Sequence, residues 1–201
     1  MTRRFALTFD YLCPFARNAN EHVITALRGG ADWDVRFVPY SLAQGHGDEE
    51  RQAVWDRPDP HRVPGVLALQ VGIAVRDRYP DRFLDVHEQL FAARHDRGED
   101  LKDRGVVAAA LERAGLAAED LLAGVDDELL RQLQEEHEAA VRDHDVWGVP
   151  TFITDRRAVF VRLLDRPEGD AALARQRIAQ IVDLVDDPLE LHEFKQTDLP
   201  I

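Results

Sequence analysis

The chain has 201 residues, 45% of them hydrophobic, and a formal net charge of −13. That is enough apolar material for one sizeable core, while the acidic excess disfavours nucleic acid and anionic membrane, both of which reward clustered Lys and Arg. No apolar run approaches the roughly 20 residues that cross a bilayer, Met1-Thr2-Arg3-Arg4 leads into too short an apolar stretch for a signal-peptide core, and a single cysteine excludes an internal disulfide, so the expectation is a cytoplasmic protein.

Phe5, Leu7 and Phe9 alternate with Ala6 and Thr8, the period of a strand with one buried face. Asp10-Tyr11-Leu12-Cys13-Pro14 then switches the chain to helix, because proline at the first helical position gives up an N–H that would be unpaired anyway. Cys13 becomes the N-cap residue. A sulfur there faces free backbone N–H groups and the positive end of the helix dipole, which predicts a reactive thiol with a pKa below the usual value of about 8.5.

Phe15, Ala19, His22, Val23, Ala26 and Leu27 continue at helical spacing until Gly29-Gly30 stops the helix. Val35 and Phe37 alternate with Asp34 and Arg36 in a second strand closed by Pro39. A strand, helix and strand of this length form a right-handed crossover with the strands parallel. Ser41 to Pro64, punctuated by Gly45, Gly47, Pro58, Pro60 and Pro64, reads as a long loop bordering a site.

Residues 65–146 read as four or five helices, and residues 43–146 hold 24 of the 38 acidic side chains, as a solvated set of amphipathic helices would. Thr151–Thr154 and Ala158–Leu163, joined by Asp155-Arg156-Arg157, predict a hairpin, and a last helix follows from about Asp170 to Val185. Beyond Asp186, Leu191 and Phe194 are expected to dock against a groove. The whole order is β-α-β, helical block, β-β-α: an α/β chain with a four-stranded mixed sheet and an all-helical insertion. Residues 1–42 and 147–201 form the sheet-bearing domain, and 43–146, loop plus helices, pack as one unit with it.

Two stretches carry a specific resemblance. Phe9-Asp10-Tyr11-Leu12-Cys13-Pro14-Phe15 resembles the Cys-Pro-x-Cys active-site entry of the DsbA-like branch of the thioredoxin superfamily, and Gly148-Val149-Pro150-Thr151-Phe152 resembles its cis-proline loop. The resemblance spans essentially the whole chain. It implies a thioredoxin-like fold, a cis Pro150, a Val149 that offers backbone groups to substrate, and a loop lying beside Cys13. Two departures matter. Ala16 stands where the resolving cysteine would be, so a dithiol cycle within one chain is excluded, and Phe15 stands where a histidine would help stabilise a thiolate.

The resemblance therefore implies a monothiol oxidoreductase with Cys13 as nucleophile and Tyr11, Pro14, Phe15, Val149, Pro150 and Thr151 around the substrate or thiol. Arg17 and Arg162 are candidates for holding a carboxylate of that thiol. Its class rival is a transferase or isomerase like the related kappa-class glutathione transferases and hydroxychromene-carboxylate isomerases, which activate a cofactor sulfur with a serine at this position. A non-catalytic binding module is the more distant rival. No tightly bound cofactor is expected; glutathione, mycothiol or another low-molecular-weight thiol would serve as cosubstrate, with a small thiol or a protein disulfide as partner to a monomer or homodimer. No two histidines sit four residues apart on one helix, so no metal site is expected. His137 is expected to pack beneath the Trp147 loop, and Trp147 to line core or cleft.

Overall fold

The computed structural model describes residues 2–45 and 52–187, so the stretch 46–51 and the proposed docking of Leu191 and Phe194 lie outside the described residues. The elements are β1 (Arg3–Phe9), α1 (Pro14–Arg28), β2 (Trp33–Pro39), α2 (Leu42–Gly45), α3 (Val66–Arg78), α4 (Pro80–His95), α5 (Arg104–Arg113), α6 (Ala118–Ala123), α7 (Asp127–His144), β3 (Thr151–Ile153), β4 (Ala158–Phe160) and α8 (Ala171–Asp186). Single 3₁₀ turns at Val54–Asp56 and Pro60–Arg62 connect α2 to α3. Thus the stretch read as loop carries a helical turn at its start, where Gly45 N–H donates 2.9 Å to the Ser41 carbonyl.

The sheet is four-stranded and mixed, in the order β2-β1-β3-β4. β1 runs parallel to β2, with Leu7 opposite Phe37, and antiparallel to β3, with Leu7 opposite Phe152. The α1 crossover is closed by Gly30, whose φ of +80° only glycine adopts at little cost. Among the described residues, the short α2 and the helices α3 to α7 fill the insertion between β2 and β3. Their buried side chains join those of the sheet in one continuous apolar cluster. Arg76 pins the two parts together: its guanidinium pairs with Glu136 of α7 at 2.6 Å and donates to the Phe37 carbonyl of β2 at 2.9 Å. Among the described residues, no helix is long and apolar enough to cross a membrane.

The second hairpin strand is shorter than its sequence suggests. β4 stops at Phe160, opposite Thr151, the first residue of β3, and beyond it the carbonyls of Leu163 and Leu164 accept from the Asn18 amide on α1 at 2.9 and 3.2 Å. Arg162 therefore stands on the segment after the strand, strapped to α1.

Candidate active site around Cys13

Cys13 is the N-cap of α1, with φ −90° and ψ 119°, and Pro14 opens the helix. Its Sγ accepts from Ala16 N–H at 3.4 Å and donates to the Val149 carbonyl at 3.3 Å. The Val149–Pro150 peptide bond is cis. Thr8 and Thr151 fix this loop against the sheet: Thr151 N–H donates to Thr8 Oγ1, and Thr151 Oγ1 donates to the Gly148 carbonyl, both at 2.8 Å.

The thiol is not the low-pKa group that its helix position suggests. Burial pushes Cys13 up, the N–H groups of Ala16 and Phe15 pull it down, Asp10 adds to the rise and Arg162 opposes it. The residue is only 7% exposed, so desolvation of the thiolate outweighs the helix terminus.

Asp10 is wholly buried directly behind the thiol turn. One carboxylate oxygen accepts from Leu12 N–H at 2.9 Å and the other from Leu42 N–H at 2.8 Å, tying the Cys13 turn to the start of the insertion. Desolvation nevertheless raises its carboxyl to about 6, against the lowering effect of these two bonds. Gly65, with φ +87°, is needed alongside, because a Cβ there would lie 3.1 Å from Asp10 Oδ1.

The candidate residues separate into two groups. Cys13, Pro14, Phe15, Val149, Pro150 and Arg162 converge: Pro14 is exposed, Phe15 is half-buried, Val149 presents its carbonyl while its side chain is buried, and the Arg162 guanidinium carbon sits 5.5 Å over the Phe15 ring. Tyr11, Thr151 and Arg17 do not join them. Tyr11 points into the core, where its hydroxyl donates to His87 Nδ1 at 2.9 Å. Thr151 is buried and spends its hydroxyl on Gly148. Arg17 is buried against Asp96 at the end of α4, an ion pair that occupies the guanidinium that was to hold a ligand carboxylate.

His87 is the hub of a polar chain invisible to sequence spacing. Tyr11 donates to its Nδ1, its Nε2–H donates to Asn20 Oδ1 at 3.0 Å, and Asn20 Nδ2 donates to the Ala16 carbonyl at 2.7 Å, a direction that fixes the tautomer. Burial lowers His87 to about 3, so the ring is neutral. His137, lowered by burial to about 4, accepts from Ser41 N–H at 3.2 Å and packs on Tyr40 and Trp55, not beneath the Trp147 loop. Among the described residues, no three His, Cys, Asp or Glu side chains are grouped to hold a metal ion.

Trp147 is 63% exposed, not core, and packs in a tilted contact on Phe160, centroids 4.4 Å apart, and Phe160 in turn lies 5.6 Å beneath the Arg162 guanidinium. Phe160 was not singled out from the sequence. The available signal was a tryptophan set directly before Gly148-Val149-Pro150, a large apolar ring next to a loop that faces the thiol.

A family model described as DSBA-like thioredoxin domain matches residues 6–168. No curated protein matches the sequence significantly. Among solved structures, the chain is similar to the cytosolic disulfide reductase DsbM from Pseudomonas aeruginosa with GSH, at 16% identity and a TM-score of 0.62, covering 90% of this chain and 99% of that one. It is likewise similar to oxidised BdbD from Bacillus subtilis, at 17% identity, a TM-score of 0.57 and coverage of 90% and 87%. The catalytic domain of Proteus mirabilis ScsC gives 16%, 0.58, and 88% and 83%.

Proposed function

Because this chain belongs to the DSBA-like thioredoxin-domain family, we propose that it is a thiol-disulfide oxidoreductase that works through Cys13 alone, with a low-molecular-weight thiol such as glutathione or mycothiol completing the cycle. The observation that carries the reading is the seat of Cys13: its sulfur caps α1 and faces the Val149 carbonyl of the cis-proline loop, in a chain with no second cysteine.

Cys13 first loses its proton to solvent. The thiolate, held by the Ala16 N–H and the field of Arg162, attacks the R-bearing sulfur of a disulfide R–S–S–R′; the mixed disulfide Cys13–S–S–R forms as the original S–S bond breaks, and R′S⁻ leaves and takes up a proton. With no resolving cysteine, an external thiolate R″S⁻ must then attack the R-bearing sulfur of the Cys13–S–S–R mixed disulfide, breaking its S–S bond. This forms R–S–S–R″ and releases the Cys13 thiolate, which takes a proton from solvent, so the external thiol is oxidised and R′SH is the reduced product. Pro14, Phe15 and Pro150 shape the groove, and the Val149 backbone holds the approaching chain. The similarity to a cytosolic disulfide reductase solved with GSH supports a cytoplasmic reductive role.

A second reading is favoured by the raised pKa of Cys13. A thiol that stays protonated can donate to the sulfur of a bound cofactor thiol, as a serine hydroxyl does, in a transferase or isomerase. The variant Cys13→Ser separates the two. In the first reading exchange between a mixed disulfide and glutathione or mycothiol is lost; in the second, cofactor-dependent transfer survives. If the parent protein catalyses no exchange with either thiol, the first reading is wrong.

A further inference from the structure

Around Cys13 the chain assembles a feature that thiol exchange in itself does not require. Trp147, Phe160, Arg162 and Phe15 form a continuous ladder: the two aromatic rings meet tilted by 41° with centroids 4.4 Å apart, and the guanidinium carbon lies 5.6 Å over Phe160 and 5.5 Å over Phe15. Its members come from three separate segments: the start of α1, the cis-proline loop, and the hairpin with its following strap. The strap itself is anchored by Asn18 to the carbonyls of Leu163 and Leu164, which fixes Arg162 over the rings.

Arg162 differs from the neighbouring cations. Arg17 is paired with Asp96 and Arg166 with Glu21, whereas among the described residues no carboxylate lies within ion-pair distance of Arg162. An arginine held over aromatic faces keeps its in-plane N–H fork free for a carboxylate. The surrounding molecule is strongly acidic, with a net charge of −13, so an anionic ligand needs such a local cation to be received.

We propose that the Trp147–Phe160–Arg162–Phe15 ladder is a specificity subsite that selects, for reaction at Cys13, a small thiol or mixed disulfide carrying a carboxylate a few bonds from its sulfur. Arg162 receives the carboxylate, and the exposed face of Trp147 covers the apolar stem beside it. The proposal rests on Cys13 being the reacting sulfur, and it names which partner the site accepts.

Iodoacetate and iodoacetamide test it without turnover. Each forms a carbon–sulfur bond to the Cys13 thiolate with loss of iodide, and they differ chiefly in one negative charge. The quantity to measure is the ratio of their rates in the native protein divided by the ratio in urea. This quotient is expected to exceed one, to fall about threefold in Arg162→Gln, and to be unchanged in Arg131→Gln, which removes an equal charge from the exposed face of α7. A quotient indifferent to Arg162→Gln overturns the subsite. A second comparison uses dithiodiglycolic acid and its diamide as disulfides, with insulin as a protein disulfide. Preference for the acid that Arg162→Gln abolishes supports the proposal; faster reduction of insulin, insensitive to Arg162→Gln, overturns it. If no disulfide is turned over yet the alkylation quotient still depends on Arg162, the oxidoreductase reading fails and the subsite stands.

Discussion

The Cys13 thiol donates to the Val149 carbonyl across 3.3 Å, so the contact that seats the sulfur beside the cis-proline loop also holds its proton. A carbonyl oxygen can accept from a thiol but gives nothing to a thiolate. Burial, with the Asp10 charge adding to it, places Cys13 above the usual thiol range. Alkylation by iodoacetamide followed against pH is expected to show a native inflection higher than that in urea. Asp10→Asn removes a charge that raises the thiol, so its inflection is expected to move down; an unchanged or higher inflection would mean that the Asp10 charge does not reach the sulfur.

Asp10 also leaves a signature in stability. Its folded pKa of about 6 is above an unfolded value of about 3.9. The native state therefore holds the proton more tightly than the unfolded state; this contribution to stability is full below pH 3.9 and is lost as pH rises through about 6. The loss amounts to about 3 kcal/mol. Asn at this position cannot titrate, so urea unfolding at pH 4 and pH 7 is expected to show Asp10→Asn gaining about 2 kcal/mol relative to the parent over the interval, whatever its offset at pH 4.

His87 and His137 act in the opposite direction. Their folded pKa values of about 3 and about 4 lie below the unfolded value of about 6.5. Stability from each is present above pH 6.5 and is lost as pH falls toward the folded value, by about 2 kcal/mol each at pH 5. His87→Gln retains a donor and an acceptor for Asn20 and Tyr11 but cannot charge. It is expected to lose less stability than the parent between pH 7 and pH 5, measured as the shift in urea midpoint at constant slope.

Gly72 of α3 passes so close to Tyr11 that a Cβ would lie 2.5 Å from the phenol oxygen. In an open helix Gly→Ala gains about 0.5–1 kcal/mol, but the Tyr11 hydroxyl is held by His87 and cannot retreat. Gly72→Ala is expected to cost about 1–3 kcal/mol. Tyr11→Phe removes the clashing oxygen, so the same substitution in that background should cost clearly less; additive losses in a double-mutant cycle would count against the contact.

Local rules in the sequence determined a great deal here. Period-two alternation in Phe5–Phe9, Pro14 after Cys13, the Gly29-Gly30 stop and the proline at 150 each act within a few residues, and they set the strands, the helices and the placing of the lone thiol at a helix start. Those rules also implied an activated thiolate, which only a solvated helix terminus would deliver. Tertiary structure decided otherwise, because desolvation depends on what distant segments bring against the sulfur. The same packing turned Tyr11 inward to His87, matched Arg17 with Asp96, and bent the chain after Phe160 so that Arg162 settled over Phe15, a ring almost 150 residues away in the chain. Spacing along the chain reports which face a side chain takes; charge state and partners follow from the fold, since water exclusion and ion pairing are set by neighbours that sequence distance does not reveal.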